Sequence, residues 1–172
     1  MGWDEIAEVG PLPGGAVIAS WRGERAGVDA ANAGFDVVMC PEQKVYLDHR
    51  ESDRRDEPIP VGAVHTVSDV YEYDPIPADL TGDAVKRVLG AQANVWTEHL
   101  DSPRRVDYAA FPRLSAFAEV VWTERSRHDL ADFTRRLTEE HLPRLDAIGV
   151  EYRPLAGPHP WQTRPGVPGR PR

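Results

Sequence analysis

Apolar runs in this chain are short and sit between charged, breaker-rich stretches. Residues 16–21, Ala-Val-Ile-Ala-Ser-Trp, are β-branched at their centre and follow Pro11-Leu12-Pro13-Gly14-Gly15, which predicts a short buried strand. Residues 24–33 have helical composition and stop at Gly34, a residue suited to closing a helix. Residues 35–40, Phe-Asp-Val-Val-Met-Cys, predict a second buried strand ended by Pro41. Strand, short helix and strand over 16–40 make the βαβ unit of a parallel sheet.

Further along, residues 49–66 are charged and Pro-bearing and read as loop, and Val67 to Tyr73 as a short helix ahead of Pro75 and Pro77. Residues 87–96 predict a third strand, whose Gly and Ala point to close packing. From 104 to 122, Tyr108, Phe111, Leu114, Phe117 and Val121 recur at helical spacing, with a break expected at Pro112. A second helix is expected over 127–148, with Ser126 and Asp129 as its capping pair. Leu130, Phe133, Leu137, Leu142 and Leu145 form its apolar face, and Gly149 ends it. The domain is placed at 1–150. Residues 151–172 form a Pro/Gly/Arg-rich tail, frayed from Gly157.

Composition narrows the partners. The 172 residues carry 28 acidic and 20 basic side chains, a net charge of −8, which argues against a nucleic-acid partner. No apolar run approaches the roughly 20 residues of a membrane-spanning helix, so no membrane partner is expected. The first residues lack the basic and apolar stretches of a signal peptide. Cys40 is the only cysteine, which excludes an internal disulfide and a multi-Cys zinc site, and it reads as a small buried apolar residue. The histidines lack metal-ligand spacing, and His49 reads as a solvated loop residue; no metal or cofactor is expected. Arg104-Arg105 and Arg135-Arg136 read as solvated helix-face charges.

Candidate chemistry lies where the strands end. Trp21 closes the first, Tyr46-Leu47-Asp48 follows the second, Trp96-Thr97-Glu98 closes the third, and Trp3-Asp4-Glu5 opens the chain. In parallel α/β sheets and barrels, ligands bind at the C-terminal ends of the strands. Aromatic faces beside carboxylates suit a sugar, whose C–H faces stack on Trp while its hydroxyls bond to Asp and Glu. A single Trp is more often core than platform, so the pattern alone leaves a polyol site and a packed core as alternatives.

The strings Gly2-Trp3-Asp4-Glu5-Ile6, Ser20-Trp21-Arg22-Gly23, Val37-Val38-Met39 through Pro41 to Tyr46-Leu47-Asp48, and Leu89-Gly90-Ala91-Gln92-Ala93-Asn94-Val95-Trp96-Thr97-Glu98 stand in this order. Phe111-Pro112-Arg113-Leu114, Ala118-Glu119 and Trp122 follow them. Over residues 1–150 the chain resembles glycoside hydrolase family 20, the β-N-acetylhexosaminidases. The resemblance implies an α/β fold, a partial (β/α)8 TIM barrel holding only its C-terminal strands and helices. It implies release of terminal β-linked N-acetylglucosamine or N-acetylgalactosamine from glycans with retention, the substrate's own acetamido oxygen attacking the anomeric carbon. By the same resemblance Tyr46 holds the acetamido oxygen and is the catalytic residue present. Trp3, Trp21 and Trp96 wall the acetamido pocket, and Asp48 and Glu98 bind the outer hydroxyls.

The family's catalytic Asp-Glu pair lies in a His-x-Gly-Gly-Asp-Glu motif, and no such string occurs here. Asp4-Glu5 matches a different motif and reads as structural. The expected partner is therefore the N-terminal half of the barrel, where any export signal would also lie, so localisation stays open. The alternatives are a non-catalytic amino-sugar binding module or an inactive remnant.

Overall fold

The computed structural model describes residues 1–59 and 61–164. The chain divides into two compact units, one made of Met1–Val45 with Tyr73–Ala93, the other of Tyr46–Glu72 with the residues from Asn94 onward.

The first unit is an α/β layer. Strands β1 (Gly2–Trp3), β2 (Val17–Ser20), β3 (Asp36–Met39) and β4 (Val88–Ala91) form one sheet in that order, every pairing parallel. Ile18 stands opposite both Gly2 and Val37, and Met39 opposite Ala91, with a register shift at Val37/Val38. Helix α1 (Glu24–Asn32) joins β2 to β3, and the short α2 (Glu42–Val45) follows β3. Val28, Ala30 and Ala31 of α1 pack with Ile18, Val37, Met39 and Leu80, so the apolar runs become one core. Gly34, at φ 91°, ends α1 as expected, and the amides of Gly34 and Phe35 donate to the carbonyls of Ala31 and Ala30, each at 3.0 Å. Cys40 is buried as expected.

Asp4 fastens the start of this unit. It is 2% exposed and accepts from the backbone amides of Trp21 (3.1 Å) and Arg22 (3.2 Å) and from Arg22 Nε (2.6 Å). The structural reading of Asp4 is thereby met. Arg22 also pairs with Glu8 at 2.6 Å.

Two sequence expectations change here. The third strand is Val88–Ala91 rather than 87–96, because its cross-strand hydrogen bonding to β3 ends with the Gln92 amide on the Met39 carbonyl (3.0 Å). A fourth strand, β1, went unseen because two residues are too short to show a period.

The second unit is mainly helical: α3 (Val67–Glu72), α4 (Pro103–Ala110), α5 (Arg113–Trp122), α6 (Leu130–Arg136) and α7 (Leu142–Ala147), with α3 packed on α5. The break expected at Pro112 separates α4 from α5. The last helix departs from expectation. It begins at Leu130, where the Asp129 carboxylate accepts from the Asp132 amide at 3.0 Å, while Ser126 lies in a separate 3-10 turn. Its middle, Leu137–His141, widens into a π-helical turn, yet Phe133, Leu137, Leu142 and Leu145 are buried as one face. Arg104 and Arg135 are exposed as expected, whereas Arg105 is partly buried and donates to the carbonyls of Gln162 and Thr163.

The expected fraying from Gly157 does not hold for 157–164. Arg153 is buried and donates to Glu57 (2.6 and 2.8 Å) and Ser52 (3.2 Å). Gln162, also buried, donates to Glu151 (3.1 Å) and to the Tyr152 carbonyl (3.0 Å). Composition misled because these anchors are isolated polar side chains without a period; residues 165–172 lie outside the described residues. Among the described residues no helix is long and apolar enough to cross a membrane.

Gly27 sets the approach of α1 to the sheet: a Cβ there would lie 2.6 Å from Met39 Sδ and 3.0 Å from Ser20 Cβ. On an open helix Gly→Ala gains about 1 kcal/mol, but overpacking costs about 1–3 kcal/mol. Gly27→Ala is therefore expected to lower the urea midpoint of unfolding; an unchanged or raised midpoint would show that α1 is free to shift.

Candidate functional site

In the second unit, the residues after α2 turn away from regular structure. Tyr46 forms a single parallel bridge with Asn94, the Leu47 amide donates to the Asn94 carbonyl at 2.8 Å, and the His49 amide donates to the Tyr46 carbonyl at 3.3 Å. This places the two motif segments, 46–48 and 94–98, side by side. The Tyr46 ring lies 6.3 Å from Trp96 at 56°. His49 meets the same ring edge-on at 5.8 Å, and the His65 ring lies 5.1 Å from that of His49. His65 Nδ1 is 3.3 Å from the Tyr46 carbonyl. The result is an aromatic row of Trp96, Tyr46, His49 and His65.

Asp48 stands beside that row, 9% exposed, with Oδ1 buried and lacking a hydrogen-bond partner. Burial raises its carboxyl above the ordinary range, the Trp96 main chain opposes that by hydrogen bonding, and Glu98 adds a smaller push upward. Glu98 is exposed, and Trp96 is 40% exposed. A tyrosine, an indole face and two carboxylates thus lie on adjoining segments, one carboxylate shielded and the other open. That set offers an apolar platform and acceptors for hydroxyl groups.

Trp3 and Trp21 belong to the first unit. Trp3 is 40% exposed. The Trp21 indole Nε1 donates to both oxygens of Glu5 at 3.0 Å, which orients the ring and holds the Glu5 carboxyl below its ordinary range.

Sequence reasoning missed three buried polar residues. His49, expected in solvent, is 5% exposed; Gly62, at φ 76°, leaves it so little room that a Cβ would fall 2.2 Å from His49 Cγ. Burial, then the nearby His65 and Arg113, drive the His49 pKa down to about 4. His65 is 3% exposed. Arg113, on the first turn of α5, is wholly buried and hydrogen-bonded to main-chain carbonyls, with Glu51 Oε2 3.3 Å from its Nε. Burial lifts the Glu51 pKa to about 7, against the pull of Arg113 and Arg153. The motif Phe111-Pro112-Arg113-Leu114 contained that arginine, but an isolated charge among apolar residues carries no period that announces burial.

Residues 1–125 match the family model "Glycosyl hydrolase family 20, catalytic domain". A beta-hexosaminidase of Porphyromonas gingivalis is 46% identical over 153 residues, covering 88% of this chain and 19% of that protein. A beta-N-acetylhexosaminidase of Cellulomonas fimi is 32% identical over 155 residues, covering 88% and 31%. Among solved structures, the exo beta-N-acetylglucosaminidase of Vibrio harveyi in complex with N-acetylglucosamine superposes with a TM-score of 0.79 and 40% identity, covering 89% of this chain and 24% of that one. The chain belongs to glycosyl hydrolase family 20. Its α/β fold is part of the TIM-barrel domain of those neighbours, and it spans between 19% and 31% of the length of the two relatives.

The buried His49 makes stability depend on pH. The native state resists protonating it down to about pH 4, whereas in the unfolded chain it protonates near its ordinary value of 6.5. Stability linked to His49 is therefore complete above pH 6.5 and is lost as pH falls towards 4, by about 3 kcal/mol at the limit. Urea unfolding across that window should fall more steeply for the parent than for His49→Phe. Parallel profiles would mean that His49 titrates normally.

Proposed function

We propose that this chain supplies the sugar-binding wall of a β-N-acetylhexosaminidase acting on glycans that end in N-acetylglucosamine or N-acetylgalactosamine. The observation that carries this reading is the pairing of Tyr46 with Trp96, with Asp48 bonded to the Trp96 main chain and Glu98 two residues on. In the reaction we propose, the acetamido oxygen of the substrate attacks the anomeric carbon from beneath the ring, with overall retention. Tyr46 donates its hydroxyl hydrogen to that oxygen and holds it in line. Trp96 gives an apolar wall that bends the acetamido group beneath the sugar. Asp48 and Glu98 accept hydrogen bonds from the outer hydroxyls, Asp48 through the oxygen that has no protein partner.

The leaving oxygen needs a proton from a carboxylic acid, and an adjacent Asp must orient the acetamido group. The family's motif for that pair does not occur in this sequence. General acid catalysis contributes roughly 10²–10⁴-fold. The purified chain should therefore hydrolyse a chromogenic β-N-acetylglucosaminide negligibly. Co-expression with the remainder of the Porphyromonas gingivalis relative, the part outside the matched stretch, should restore turnover. Robust turnover by the chain alone would overturn this division of labour and return attention to Asp4-Glu5. Sugar binding without turnover in the complemented protein would favour a binding module.

In the complemented enzyme the two kinds of contact should separate. Tyr46→Phe removes a hydrogen bond to an oxygen that gains charge as it attacks, so kcat should fall by roughly 10–100-fold with little change in KM. Glu98→Gln replaces a charged acceptor with a neutral one and weakens a bond already present with bound substrate, so KM should rise by about 10-fold. Equal, small effects from both variants would count against these roles.

A further inference from the structure

We propose that Arg113 is the positioning residue of the sugar-binding loop: its buried guanidinium grips the carbonyls on either side of Asp48 and thereby aims Asp48. This rests on the role of Asp48 proposed above.

Arg113 Nη2 donates to the carbonyls of Leu47 (2.6 Å) and His49 (2.9 Å), the two residues flanking Asp48, and to that of Ala109 (2.8 Å) at the end of α4. Nη1 donates to the carbonyls of His65 (3.0 Å) and Arg50 (3.4 Å). One side chain therefore collects both peptides around Asp48, the next turn of the loop, the segment carrying His65, and a helix end. The loop makes few other main-chain bonds: the Leu47 amide reaches Asn94, the His49 amide reaches Tyr46, the Arg50 amide reaches the Val61 carbonyl at 3.3 Å, and the Arg50 carbonyl also accepts from the His65 amide at 2.8 Å. Its direction depends on its carbonyls, and Arg113 holds three consecutive members apart from Asp48 itself, Leu47, His49 and Arg50.

The geometry suits arginine alone. A guanidinium presents five donors in a rigid plane, so it can serve carbonyls that diverge; an ammonium offers three donors at one point. The residue is wholly buried and anchored on a helix, so the grip is not averaged by side-chain motion. The Glu51 carboxylate, 3.3 Å from Nε, supplies the counter-charge from the same loop, which leaves both terminal nitrogens facing carbonyls. Asp48 is the residue that gains from such a grip. Its Oδ1 is buried without a partner, so beyond the bond to the Trp96 main chain its direction rests on the peptides on either side.

A purely structural arginine and a positioning one differ in where the damage falls. In the full chain, Arg113→Lys should leave a cooperative unfolding transition. Hydrogen exchange at the amides of Leu47 and His49 should then accelerate by about 10-fold more than at helix amides such as Phe117 and Phe133. The affinity for free N-acetylglucosamine, followed by ligand-observed NMR, should fall about 10-fold in Arg113→Lys and in Asp48→Asn alike. Uniform acceleration of all amides, or none, would overturn the proposal. If Arg113→Lys does not fold, the unmodified chain decides. Without ligand its Leu47 and His49 amides should be as protected as those of α5; exchange at open-loop rates would overturn the proposal. If the loop loosens in Arg113→Lys while Asp48→Asn binds N-acetylglucosamine as the parent does, the grip stands and the reading of Asp48 as a sugar contact falls.

Discussion

A fully buried guanidinium bound to main-chain carbonyls is the constraint on which the second unit depends. A loop that leaves regular secondary structure and runs inside the protein strands its carbonyls away from water, and each needs a donor. Residues 46–50 make such a loop, and the four N–H bonds of the Arg113 terminal nitrogens are shared among five carbonyls, counting those of His65 and Ala109. A buried charge is expensive unless paired and hydrogen-bonded, and breaking one such pair typically costs about 3–5 kcal/mol. Here the pairing is with Glu51, whose own burial pushes its carboxyl up, so the two charges are tolerable only together. That interdependence ties the fold of α5 to the shape of the loop.

The first unit solves the opposite problem with the opposite charge. At the start of its sheet, main-chain amides of Trp21 and Arg22 need acceptors, and the buried Asp4 carboxylate supplies them, neutralised by Arg22. Its neighbour Glu5 accepts from the Trp21 indole. One unit thus secures the end of a strand with a carboxylate that collects N–H groups, and the other secures a loop with a guanidinium that collects C=O groups. In both, a charge without exposure fixes main chain next to an aromatic residue that is partly open.

The sequence made the apolar architecture legible. Ile18, Val37 and Met39 declare buried strands because both the runs and their Pro and Gly boundaries are visible, and Pro112 declares the break between α4 and α5. What a period cannot encode was missed. β1 is two residues long; β4 stops at Ala91 although apolar residues continue; Asp129 caps α6 without Ser126. The docking of 157–164 hangs on Gln162, a single polar side chain in a Pro/Gly stretch. The candidate site residues stand in recognisable motifs, whereas the residues that support them do not. His49 looked like a solvated loop histidine because its neighbours in sequence are charged, and its burial comes from Gly62 and His65, residues distant along the chain.

Asp48 shows why the supporting residues matter more than their number suggests. An unpartnered buried carboxylate oxygen is destabilising, and burial accordingly raises this carboxyl's pKa. Such a group persists where the surroundings over-determine it, and those surroundings are unusually fixed: carbonyls on both flanks held by Arg113, the Trp96 main chain in front, and the aromatic row beside it. A polar ligand hydroxyl donating to Oδ1 would remove the deficit at no cost in reorganisation, because the loop is already set. On the role proposed for Asp48, the cost of leaving one oxygen unsatisfied would become binding preference for a partner that carries a donor at that place.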